Sequence, residues 1–138
     1  MSSRRMRLVV ACALCAVTSL ALAGVADAKK KPIKVKTTLA FSDATDTGVT
    51  GTMTVNKKKG QYCLSRTITI HVNGNPTQTQ PRSKSDTVSE FRHFTSRGGW
   101  AGATIFADVP KSTIAKNTFP DQKRKIVCKA AKTETVNV

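Results

Sequence analysis

Aromatic residues are scarce in this chain: five Phe, one Trp and one Tyr, 5% of 138 residues. Hydrophobic residues reach only 39%, below the usual ~45–50%, so any core is thin. Acidic residues are few beside basic ones, 8 Asp+Glu against 23 Lys+Arg, a formal net charge of +15. No window sustains apolar residues at i, i+3, i+4 and i+7, which excludes a coiled coil. Only one long apolar run is present, so the chain is not a polytopic membrane protein. The length excludes a large multidomain enzyme, because domains cluster at about 100–150 residues. No internal repeat or low-complexity tract is present, and the patterned apolar runs argue against wholesale disorder.

The long apolar run reads as an address. Arg4, Arg5 and Arg7 precede an uncharged stretch from Leu8 to Val25. Ala26-Asp27-Ala28 is a small-x-small cleavage site, and Lys29-Lys30-Lys31 follows it. That order is that of a secretory signal peptide, cleaved after Ala28. A transmembrane anchor is the competing reading, disfavoured by the cleavage site, the many small residues and Gly24. Arg4-Arg5 also resembles a twin-arginine export signal, but Arg7 stands where an apolar residue is usual. Val9-Val10-Ala11-Cys12 looks like a lipobox, yet the apolar run continues well past it.

Two expected regions follow: residues 1–28 as the address and 29–138 as one secreted domain. The address takes away three arginines, one aspartate, Cys12 and Cys15, leaving 20 basic and 7 acidic residues and a charge of +13. Only Cys63 and Cys128 remain. In an oxidising compartment two cysteines allow one intramolecular pairing. Two free thiols or a metal site are the alternatives, but His71 and His93 are not at zinc-ligand spacing.

The remaining chain reads as strands. Ile33, Val35, Thr37, Leu39 and Phe41 alternate with Lys34, Lys36, Thr38 and Ala40, a strand with one buried face. Ser42 to Gly48 reads as a turn. Val49, Gly51, Met53 and Val55 alternate with threonines, and Ile68, Ile70 and Val72 alternate with Thr67, Thr69 and His71. Asn56 to Gly60 is expected to be a hairpin loop, with Cys63 opening the third strand. Asn73-Gly74-Asn75-Pro76 is the strongest turn signal. Thr77 to Asp86 reads as a loop, and Thr87 to Thr95 as a strand of open register. Trp100 to Val109 reads as a buried strand ended by Pro110. Lys111 to Lys125 is expected to be irregular, with one helical turn at Ser112–Lys116. Ile126 to Ala131 reads as the last strong strand, continued by Thr133 to Val138. About seven short strands of this kind predict an all-β antiparallel sandwich or barrel.

The stretch from Gly51 through Cys63-Leu64-Ser65-Arg66-Thr67-Ile68-Thr69-Ile70, with Ala107-Asp108-Val109 and Val127-Cys128-Lys129-Ala130-Ala131, resembles small secreted β-sandwich domains of actinobacteria. Those domains are immunoglobulin-like or prealbumin-like. The resemblance spans about residues 49–136 and implies fold and compartment, not activity. Thr87 to Gly99 departs from it, lacking the expected Thr-x-x-(Asp/Asn)-Gly-aromatic turn. Antibody-type domains are set aside, because Ile126 stands where a tyrosine corner needs Tyr.

Catalytic signals are weak. Asp46-Thr47-Gly48 matches the Asp-Thr-Gly of aspartic proteases, but the preceding Asp43-Ala44-Thr45 is polar and a turn explains the same residues. Asp43 and Asp46 lack the rest of a calcium loop. His71 falls on the polar face of its strand, and His93 has no carboxylate near in sequence. No G-x-S-x-G, H-E-x-x-H or phosphate-cradling glycine loop occurs.

Charge is the remaining signal. Lys29, Lys30 and Lys31 form an N-terminal arm, Lys57, Lys58 and Lys59 a hairpin tip, and Lys123, Arg124 and Lys125 the approach to the last strand. A charge of +13 exceeds the ~2–8 that solubility asks of a small domain. The expected partner is an anionic envelope polymer or lipid. Sequence-specific nucleic-acid binding is not expected, because no aromatic is interleaved with the basic triplets. No cofactor is expected, and the chain is expected to be a monomer. The expected function is a non-catalytic module of the exterior or cell envelope. The alternative is a small secreted hydrolase or protease with an unrecognised site, which needs a pocket gathering Asp46, His71 or His93 with a nucleophile.

Overall fold

Alternation in register from Ile33 to Phe41 conceals a change of sheet. In the computed structural model, which describes residues 31–96 and 98–138, this stretch forms two strands, β1 (Ile33–Val35) and β2 (Thr37–Thr45). Val35, Thr37 and Leu39 are all buried, so the inward face runs on while the partners change across Lys36. The address, its cleavage site Ala26/Ala28, and Lys29 and Lys30 lie outside the described residues.

β2 does not stop at Ser42. A bulge between Phe41 and Asp43 resets the register, and the strand continues to Thr45 beside β3 (Gly48–Val55). The expected seven-residue turn therefore shrinks to Asp46-Thr47, because the bulge absorbs the one residue that breaks the alternation. Gly51 is needed on β3 for close approach: a methyl there would stand 2.6 Å from the Ala40 carbonyl oxygen and inside the Phe91 ring.

Where a hairpin tip was expected, Lys58–Cys63 forms a 3-10 helix. Cys63 closes that helix and does not open a strand. The next strand, β4 (Ile68–Val72), pairs with β5 (Asn75–Thr79) across Asn73-Gly74, both with positive φ (50° and 80°). That is the tight hairpin the Asn-Gly pair favours. Pro76 is tolerated inside β5 because β5 is a sheet edge.

The remaining strands are β6 (Arg82–Ser83), β7 (Val88–Phe94), β8 (Thr104–Val109), β9 (Ser112–Ile114), β10 (Ile126–Cys128), β11 (Ala131–Lys132) and β12 (Val136–Asn137). One sheet runs β2-β3-β7-β6 and a second β11-β8-β4-β5, with β12 also on β8. A third, small sheet runs β1-β10-β9. The expectation of about seven antiparallel strands is thus corrected. Twelve short strands are present among the described residues, and β1 pairs with β10 in parallel. Trp100 lies in a turn before β8, held by a bond from its N–H to the Asp46 carbonyl. Ser112 to Ile114 is strand, not helical turn, because β10 supplies a distant partner.

Leu39, Val49, Met53, Val55 and Phe91 of the first sheet share one core with Ile68, Ile70, Ile105, Ala107 and Val109 of the second. The fold is all-β and sandwich-like. Val35, Ile126 and Cys128 of the small sheet join the same core. Cys63 and Cys128 form a disulfide across a separation of 65 residues, Cα atoms 5.7 Å apart, both side chains fully buried. Among the described residues no helix is long and apolar enough to cross a membrane.

Candidate anionic-ligand site

The disulfide end of the domain is where two of the chain's basic runs meet, Lys57–Lys59 and Lys123–Lys125. The 3-10 helix starts at Lys58 and ends on Cys63; β10 ends on Cys128, so the bridge ties the two elements together. Each element is entered through a basic triplet, Lys57–Lys59 for the helix and Lys123–Lys125 for β10. The parallel pairing sets Ile33 against Ile126, and the Ile33 N–H donates to the Lys125 carbonyl oxygen at 2.8 Å.

A cleft of about 290 Å³ opens there, lined by Lys58, Lys59, Tyr62, Lys123 and Arg124 over Ile33 and Ile126. Asp86, Asp121, Gln61 and Gln122 complete its wall. Lys58, Lys59 and Lys123 make no ion pair among the described residues; the pairs present are His71–Asp108 at 3.3 Å and Lys84–Glu90 at 2.6 Å. Lys57 and Lys125 are exposed beside the cleft without lining it.

Aromatics are part of this site after all. Tyr62 stacks on Phe119 with centroids 4.0 Å apart and planes 6° from parallel. The sequence placed neither ring among the basic triplets, because linear order separates Phe119 from Lys57–Lys59. The Tyr62 position, three residues past Lys59, was the signal available.

Gln122 gives the cleft wall its shape. The residue is 4% exposed in a loop that is otherwise open to solvent. Its side-chain amide donates to the carbonyl oxygens of Ala115 (2.8 Å), Arg124 (3.1 Å) and Ile114 (3.2 Å). Its Oε1 accepts from the Phe119 N–H at 3.3 Å, and its own carbonyl accepts from the Asn117 N–H at 2.9 Å. One amide thus organises the stretch expected to be irregular. Gln122→Ala is expected to cost about 1–2 kcal/mol, since three part-buried carbonyls lose their donor. Amide hydrogen exchange should accelerate locally from residue 115 to 125, leaving β3 and β4 protected.

The expected catalytic candidates do not gather at the cleft. Asp46 sits in the β2–β3 turn. His71 is half-buried, stacked on Phe106 at 4.3 Å and beside Asp108, so it is not the exposed surface histidine its alternation suggested. Lys132 lies over the same Phe106 ring at 4.2 Å. His93 stacks on Trp100 at 5.6 Å. No hydrogen bond joins Asp46, His71 or His93 to a hydroxyl side chain among the described residues. No three His, Cys, Asp or Glu side chains gather as a metal site would need, among the described residues.

Neither a family model nor a curated protein matches the chain.

Proposed function

We propose that this protein is a non-catalytic, secreted or cell-envelope β module that associates with an anionic polymer or surface through its disulfide end. One observation carries the reading: basic runs far apart in sequence converge on a single cleft, with Lys58, Lys59, Lys123 and Arg124 at its wall. A merely solubilising charge has no reason to concentrate there. The disulfide supports an oxidising compartment, and with it the export address at residues 1–28. Two facing sheets sharing one core support the immunoglobulin-like or prealbumin-like likeness.

Retention on an immobilised anionic envelope polymer, read against salt, tests this. Exposed charges are screened over about 8 Å at physiological salt and about 3 Å at 1 M. Retention is expected to be strong at low salt and to collapse towards 1 M. Retention that ignores salt, or none on any anionic polymer or vesicle, would remove the reading.

A further inference from the structure

The cleft is more than a patch of positive charge. A site that only attracts polyanions needs cations and gains nothing from carboxylates. This one sets Asp86 and Asp121 in the same wall as Lys58, Lys59 and Lys123. Neither aspartate is ion-paired among the described residues. Gln61 adds a side-chain amide at the wall. Carboxylates and amides accept hydrogen bonds from hydroxyl groups. Ile33, Ile126 and the ring of Tyr62 supply apolar surface. Phe119 backs that ring, so it stands as a supported platform.

A second cleft, of about 490 Å³, shares Gln61, Tyr62 and Asp86 with the first and continues to Ser83, Lys84 and Ser85. The two clefts adjoin at Gln61, Tyr62 and Asp86, which line both. The first cleft lies at the small end of ligand sites, about 300–1,000 Å³, which suits one unit of a chain.

We infer that the adjoining clefts bind an acidic saccharide chain, with a sugar face on Tyr62, hydroxyls on Asp86 and Asp121, and the acid group among Lys58, Lys59 and Lys123. This rests on the anionic-polymer reading and narrows it. Single-stranded nucleic acid fits less well: it offers the two aspartates few hydroxyl donors, whereas a saccharide carries several on every unit. A lipid headgroup would make no use of the second cleft that adjoins at Tyr62.

The test is a titration of the full chain with a short oligogalacturonate and with a phosphodiester-linked oligomannoside, which carry the acid as carboxylate and as phosphate. A neutral oligogalactoside, oligothymidylate and phosphatidylglycerol vesicles are run beside them. Saturable one-to-one binding is expected for at least one acidic saccharide. Tyr62→Leu should weaken it about tenfold. Asp86→Ala with Asp121→Ala, two exposed positions that leave the fold intact, should weaken it several-fold although it makes the cleft more positive. Tighter binding of that double variant, equal binding of oligothymidylate or vesicles, or equal binding of the neutral sugar would overturn the inference. In the first two cases the broader anionic reading stands. Binding to no anion at all would end both.

Discussion

Replacing Cys63 and Cys128 together with alanine is expected to lower the unfolding free energy by about 4 kcal/mol. The bridge closes a loop of 65 residues, and on the chain-entropy model such a loop restricts the unfolded chain by that amount. Small domains hold only about 5–15 kcal/mol in all. The loss is amplified in the folded state, because both cysteines are fully buried in the common core, to which Val35, Leu64 and Ile126 also belong. Denaturant midpoints of the native protein and the double variant measure it directly. The bridge also joins the 3-10 helix to β10, so the basic cleft is expected to loosen before the two larger sheets. Faster hydrogen exchange at residues 58–63 and 126–128 in the variant, with β3 and β4 protected, is the expected pattern. Equal midpoints in the two proteins would show that packing alone holds this end.

Arg66 is expected to give the largest effect of any single charged residue. Its guanidinium meets no carboxylate among the described residues. It donates instead to the carbonyl oxygens of Cys63 (2.8 Å), Pro110 (2.9 Å) and Lys129 (2.9 Å), and to the Thr37 hydroxyl (2.6 Å). Those acceptors lie on the 3-10 helix, the two segments flanking β9 and β10, and β2. One side chain therefore ties four regions of the chain beside the disulfide. Burial pushes its pKa down to about 10, because desolvation disfavours the cation. With the folded value below the unfolded one, the penalty is present in full at neutral pH and eases only as pH rises through about 10. The hydrogen bonds must outweigh it. Arg66→Ala is expected to destabilise by about 2–3 kcal/mol, discounted because the outer carbonyls can turn to water. Arg66→Lys should recover little, since a point charge cannot span the fork of acceptors. A lysine variant as stable as the native protein would show that charge, not geometry, matters there.

Sequence made some of this legible and hid the rest for physical reasons. β3 and β4 follow from their alternation, and the Asn73-Gly74 turn from its need for positive φ. The boundary between β1 and β2 was hidden, because Val35, Thr37 and Leu39 keep one inward face while the strand partner changes. Ser112–Ile114 carries no strand pattern of its own; β10 imposes it from a distance. The two cysteines announced their pairing only because no others remain after the address. The basic triplets were visible as runs, but the meeting of Lys57–Lys59 with Lys123–Lys125 at one cleft depends on the disulfide. The Tyr62–Phe119 stack needed the bridge too, together with the loop that Gln122 holds.

The central claim is that the disulfide end, and not charge in general, engages the anionic partner. Lys58→Gln, Lys59→Gln and Lys123→Gln combined remove three charges from the cleft. Arg82→Gln, Arg92→Gln and Lys132→Gln combined remove three from the two larger sheets. Retention of both triple variants on one anionic polymer, at one low salt concentration, decides the matter. The cleft variant is expected to lose most of its retention and the sheet variant little. Equal losses in the two would contradict the account, leaving only a diffuse positive surface.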